Sequence, residues 1–172
     1  YWTWDLSRVD PRFGDEALLA KLSDALHARG IPLVMDLVLN HVGPDAPLVK
    51  ERPEWFHRKG GITDWNDAEQ LVNRDVHGLP DLATERDDVY QFLLDASLKW
   101  IKVARPDGFR LDAVKHLPLS FWAKFNADVR KAAGPKFELL GEMLDGDPRV
   151  VARVQREGGF STMFDFPLHF AI

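Results

Sequence analysis

Between residues 15 and 29 the apolar side chains Leu18, Leu19, Leu22, Ala25 and Leu26 recur at helical spacing, and Gly30 follows where a C-terminal cap belongs. The next segment, IPLVMDLVLN (31–40), changes to a short apolar and branched run, which predicts a strand covered on both faces. From Thr84 the sequence TERD opens like a capping box, and Val89, Phe92, Leu93, Ala96, Trp100 and Ile101 form the stripe of a second helix ending near Pro106. A strand over 108–114 follows. A helix from about Ser120 carries Phe121, Trp122, Phe125 and Val129 and closes at Gly134. FELLGEM (137–143) predicts a further strand. Asp147-Pro148 supplies a cap and a first-turn proline for a helix to about Glu157, and Thr162–Phe166 reads as a last strand.

Alternating strands and helices, with strands apolar on both faces, imply a parallel sheet with right-handed crossovers, either a barrel or an open doubly wound sheet. The polar residues favour the barrel. Asn40, His41, Asp112 and Glu142 fall at the C-terminal ends of their strands, where an eight-stranded β/α barrel builds its active site. No glycine-rich phosphate loop follows any strand, as an open nucleotide-binding sheet requires. Four strands amount to roughly half of such a barrel. The stretch from Val42 to about Ala83 breaks the rhythm. It is too long for an ordinary βα loop, is rich in proline, glycine and tryptophan, and reads as a small subdomain or lid. Its aromatic residues suit either stacking on sugars or a small core of its own.

Charge and composition exclude several partners. The net charge of -5, with no lysine or arginine run, argues against nucleic acid and against an anionic membrane surface. The absence of cysteine removes disulfide and thiolate chemistry, and no apolar run reaches the length of a membrane span. The chain starts on Tyr1 and stops within FDFPLHFAI, an apolar, strand-like run, so both ends read as cut. Open parallel edges would invite aggregation, which makes the remainder of the same barrel the expected partner.

DGFRLDAVKH (107–116) carries the sharpest chemistry. With a strand period of two, Arg110 and Asp112 point to one face while Phe109, Leu111 and Ala113 point to the other. Two charges on an apolar strand are either a structural ion pair or a catalytic carboxylate beside its arginine.

IPLVMDLVLNH, DGFRLDAVKH and ELLGEM, in this order on successive strands, resemble the three central conserved regions of the α-amylase family, glycoside hydrolase family 13. GLPDL (78–82) is similar to that family's short motif at the end of its inserted domain, and YWTWDLSRVDPRFG to the stretch after its second barrel strand. The resemblance spans the whole chain. It implies a partial (β/α)8 TIM barrel covering about strands 3 to 6, with a domain-B-like insertion at 42–83. It also implies a retaining glycoside hydrolase, or a glucanotransferase, acting on α-1,4-linked glucans and maltooligosaccharides.

Chemistry argued from the residues agrees. Retaining cleavage needs a nucleophilic carboxylate and a protonated carboxyl roughly 5 Å apart, and adjacent strands lie about 4.8 Å apart, so Asp112 and Glu142 at consecutive strand tips have the right spacing. Arg110 is expected to lower the pKa of Asp112 and keep it ionised. Glu142, among Leu139, Leu140, Gly141, Met143 and Leu144 with no cation next to it in sequence, has surroundings that suit an acid kept protonated. The resemblance makes Asp112 the nucleophile and Glu142 the acid/base. It pairs a buried Asp36 with Arg110, sets His41 against the sugar beside the cleaved bond, and places Lys115 and His116 on the leaving-group side. It further implies Ca²⁺ held by Asn40, Asp81 and the His116 carbonyl, with Glu69 a further candidate, and oxygen donors of this kind suit a hard cation. The family's fourth region, with its third catalytic aspartate, has no counterpart here. Asp165 lacks the preceding histidine, so the chain alone is expected to have little or no hydrolytic activity. A non-catalytic amylase-like binding domain is the weaker alternative, since such relatives usually lose the nucleophile or the acid. The six histidines form no close pair, which argues against a metal-dependent barrel hydrolase.

Overall fold

A computed structural model describes residues 1–172. Helix α1 (Glu16–His27) starts where the Asp15 carboxylate accepts the Leu18 amide at 2.8 Å. It leads into β1 (Val34–Leu37), four residues rather than the ten of the apolar run. Pro32 can donate nothing to a ladder, and beyond Leu37 the chain turns away so that His41 pairs antiparallel with Asp81. Strand β1 is also not covered on both faces. It lies at the sheet edge, Val34 is 42% exposed, and the interior-facing Asp36 is exposed too.

Residues 42–83 add no strand to the sheet. They hold two short helices, α2 (Pro47–Glu51) and α3 (Ala68–Asn73), a 3₁₀ turn at Pro53–Trp55 and isolated bridges. Helix α4 (Asp87–Ala104) begins two residues later than the TERD signal suggested. Its cap is Arg86, which makes no capping bond, and Asp87 and Asp88 face the helix dipole instead. The helix buries Val89, Leu93, Ala96 and Trp100 as expected.

Strands β2 (Gly108–Leu111) and β3 (Glu138–Gly141), with α5 (Leu119–Ala133) between them, complete the regular part. Helix α5 buries Phe121, Trp122, Phe125 and Val129, and Gly134 ends it at φ 98°. After β3, Asp147 caps α6 (Pro148–Gly158), and Gly159 turns the chain left-handed into β4 (Thr162–Met163). The strand-like reading of the last residues is corrected. Only Thr162 and Met163 pair, and the rest forms α7 (Phe166–Ala171), because Asp165 caps the Leu168 amide at 3.0 Å and Pro167 sits in the first turn.

The four strands are parallel in the order β1-β2-β3-β4, with Leu37 opposite Leu111 and Leu111 opposite Gly141. The fold is therefore the α/β half-barrel arrangement, with helices outside and the opposite face left for polar chemistry. Phe109, Leu111 and Leu139 are fully buried toward the helices, against Leu93, Trp122 and Phe125 in one core. At Gly141 an added Cβ would come within 2.6 Å of the Met163 sulfur and 2.9 Å of Phe160, so only glycine lets β4 pack beneath the residue that follows it, Glu142. No helix is long and apolar enough to cross a membrane.

Candidate active site

Two ladder bonds fix the carboxylates. The Asp112 amide donates to the Leu37 carbonyl at 3.0 Å and the Glu142 amide to the Leu111 carbonyl at 2.9 Å, so each residue is the first past its strand. Ala113 follows in the left-handed region at φ 55°, a conformation that costs a non-glycine residue on the order of 1 kcal/mol and that turns the chain into the 3₁₀ segment Val114–His116. The Val114 amide then donates to the Glu142 carbonyl at 3.0 Å and ties the two strand ends together.

Arg110 gathers the acids. Its Nη1 lies 2.8 Å from Asp36 Oδ1 and 2.7 Å from Asp112 Oδ1, and its Nη2 lies 2.5 Å from Glu142 Oε2. The strand-period reading of Arg110 and Asp112 on one face holds, and so does the Asp36–Arg110 pair. Two expectations about this cluster change. Asp36 is not buried, its side chain being 41% exposed. Glu142, which has no cation next to it in sequence, meets Arg110 across the strands. Asp112 is not lowered: burial pushes its carboxyl up to about 6, Arg110 pulls against that, and a hydrogen bond with Glu142 and the charges of Glu142 and Asp36 push it up further. One guanidinium divided among three acids cannot offset burial and like charge at the one that is most enclosed.

Tyr1 belongs to the cluster and was missed from the sequence. Its ring lies 5.5 Å from the Arg110 guanidinium carbon, its hydroxyl donates to Asp36 Oδ2, and burial followed by the Asp36 contact pushes the phenol up to about 12. Its carbonyl accepts from His41 Nε2 at 3.2 Å, while His41 Nδ1 accepts from the Asn40 amide at 3.2 Å. His41 is thus a neutral imidazole, and burial holds its pKa down. In this arrangement it anchors the Tyr1 backbone. No local pattern marks Tyr1, because its partners lie on other strands.

Lys115 Nζ stands 3.8 Å from Asp145 Oδ2, a charge pair linking the turn after Asp112 to the loop after Glu142. His116 Nδ1 bonds the Leu71 carbonyl of α3 at 2.9 Å, docking the insertion on the turn after Asp112. Trp65, on the insertion, meets the His116 ring edge-on at a centroid distance of 6.0 Å and stays 45% exposed. Trp55, by contrast, is buried, is bonded to Asp88 at 2.9 Å and forms part of the core.

Asn40 and Asp81 are both buried, on segments joined by the His41–Asp81 bridge and by the Leu82 amide donating to the Asn40 carbonyl at 2.9 Å. Asp81 Oδ2 is 2.6 Å from His57 Nδ1, and His57 Nε2 reaches Glu85 at 3.0 Å, a contact the sequence did not announce. Burial pushes Asp81 up to about 6 against the pull of His57. Glu69 does not join them: its side chain is exposed and lies 3.7 Å from Lys59. No three acidic or histidine side chains converge on a cation position, so any metal here rests on amide and carbonyl oxygens as well.

The parallel half-barrel that carries this cluster is similar in fold to solved structures. The α-amylase from Geobacillus thermoleovorans, solved with acarbose, superposes with a TM-score of 0.93 at 42% identity, over 99% of this chain and 38% of that one. The Anoxybacillus α-amylase gives 0.91 at 36% identity, over 97% of this chain and 37% of the other. Among curated proteins, the cyclomaltodextrin glucanotransferase of Klebsiella oxytoca is 34% identical over 149 residues and the cyclomaltodextrinase of a Bacillus species 35% over 156. Those alignments take in 75% and 83% of this chain but only 23% and 27% of the relatives, about a quarter of their length. Since the alpha amylase catalytic domain is matched over residues 1–172, from the Tyr1 that packs on Arg110 to the end of α7, the chain belongs to the α-amylase family.

Proposed function

We propose that the chain is the central part of the catalytic barrel of a retaining enzyme that cleaves α-1,4-linked glucans through a covalent glycosyl-enzyme. The observation that carries this is the shared guanidinium: two carboxyls at the tips of neighbouring strands lie 2.7 Å and 2.5 Å from the one Arg110 side chain, and so stand close together, as the carboxyl pair of a retaining enzyme does. In the first step an Asp112 oxygen forms a bond to the anomeric carbon while Glu142 gives its proton to the leaving glycosidic oxygen. In the second, Glu142 takes a proton from water, whose oxygen displaces Asp112 at the same carbon. Arg110 holds both carboxyls in register, and the Tyr1 ring beside it offers a face to the sugar being cleaved. The exposed Trp65 meets the ring of His116, and His116 with Lys115 are the residues that the family resemblance assigns to the leaving-group sugars.

Transfer shares the first step and differs only in the acceptor, and the relatives include both a cyclomaltodextrin glucanotransferase and a cyclomaltodextrinase, so a glucanotransferase is the second reading. The anomeric form of the product tests the proposal. Maltoheptaose cleaved by the complete barrel is expected to give α-anomeric products by NMR before mutarotation, whereas β-anomers would rule out the glycosyl-enzyme. The purified 172-residue chain is expected to turn over little or none of it, since Asp165 is spent on capping α7 and the Arg110 face stands open at β1.

The calcium implied by the family resemblance fits the donor chemistry, a buried amide and a buried carboxylate on neighbouring segments, with the His116 carbonyl as a third oxygen. Such an ion supplies no step of the reaction and would tie the insertion to the barrel. EDTA is expected to lower the thermal midpoint by roughly 5–10 °C relative to calcium at a hundredfold its Kd. Asn40→Ala should abolish that difference, and a midpoint indifferent to EDTA in the parent protein would remove the ion from the account.

A further inference from the structure

The insertion reverses at Val76–His77–Gly78–Leu79, where the Leu79 amide donates to the Val76 carbonyl at 3.0 Å and the two residues pair antiparallel. Both central residues are left-handed, His77 at φ 52° and Gly78 at φ 78°. That is the turn type for which Asn-Gly or Asp-Gly is the favoured sequence, and histidine is also among the residues that accept positive φ. The turn therefore sets an imidazole at its tip without requiring one, since asparagine would serve the backbone equally well.

A use for it is visible in what the ring touches. His77 lies 5.4 Å from Trp65, centroid to centroid, with planes 36° apart, and the Trp65 ring also meets the edge of His116. The indole is thus held between two imidazoles, one on the turn and one four residues past Asp112, while nearly half of its surface remains open. A rigid exposed indole is a surface on which the C–H face of a sugar ring can lie, and fixing it beforehand removes the ordering cost of binding.

We infer that His77 is a positioning residue, holding Trp65 as a platform for a glucosyl unit beside the turn that follows Asp112. The inference rests on the α-glucan reading above. His77→Asn in the complete enzyme keeps the turn and removes the clamp, so the thermal midpoint is expected to stay or rise while the KM for maltoheptaose increases about fivefold and kcat moves less than about twofold. Trp65→Ala should raise KM about tenfold, and the double variant should be no worse than Trp65→Ala alone, because the clamp has nothing left to hold. His77→Phe, which restores a ring, should recover most of the lost affinity. An unchanged KM in His77→Asn, or additive losses in the double variant, overturns the inference while leaving the α-glucan reading intact. A parent enzyme that cleaves no α-glucan at all would sink that reading instead.

Discussion

Asp112→Asn in the complete enzyme is expected to lower turnover roughly 10⁴-fold or more and to leave no glycosyl-enzyme detectable by mass spectrometry after exposure to an activated glycosyl fluoride. The amide keeps the size and the position of the side chain but has no anion with which to form the bond to the anomeric carbon. A loss of fold would look similar in an activity assay, and the electrostatics separate the two. The folded carboxyl of Asp112 is raised to about 6, above its usual 3.8. Its proton therefore favours the folded state, a contribution complete below the unfolded value and lost as pH rises through about 6. At pH 7 the ionised group costs stability, on the order of 1 kcal/mol after solvent screening, and the neutral amide does not. The variant should consequently melt higher than the parent at pH 7 and equal to it near pH 3, while being inactive at both. In the parent, kcat/KM should fall as pH drops below about 6, because the nucleophile is then protonated. The value belongs to the Asp112–Glu142 pair as a whole. A labelled Asp112→Asn protein would refute the nucleophile assignment.

The two strand tips were legible because local rules govern them. A period of two put Arg110 and Asp112 on one face and left Phe109 and Leu111 fully buried on the other, and consecutive parallel strands made Asp112 and Glu142 neighbours. What escaped was contact between distant segments. Tyr1 reaches Asp36, His57 reaches Asp81, and Trp65 reaches both His77 and His116, none through a spacing that a helix or strand would repeat. The error over the Asp112 carboxyl has the same origin. Arg110 is its neighbour in sequence, but only the folded chain shows that Glu142 and Asp36 draw on the same guanidinium. Helix α7 was misread for a local reason: six residues are too few to show a period, so Asp165 and Pro167 were its only signals, and the apolar composition outweighed them.

Glu142→Gln should separate substrates by their leaving groups. On maltoheptaose, whose leaving oxygen must be protonated, the loss is expected to be about 10³-fold, whereas on an α-glycosyl fluoride, which departs without a proton, the first step should fall by less than about tenfold. Equal losses on the two would remove Glu142 from the role of acid. The same variant carries an independent check on the cluster. Glu142 raises the Asp112 carboxyl through a hydrogen bond and through its charge, while Arg110 lowers it. With a neutral glutamine in place, Arg110 loses one of its three acidic partners and holds Asp112 more strongly. The acid limb measured with the fluoride should therefore move below pH 6, toward the ordinary carboxylate range. A limb that stays in place would mean that burial alone sets the Asp112 carboxyl and that the two acids titrate independently. The shared guanidinium would then hold the carboxyls in position without coupling their protons.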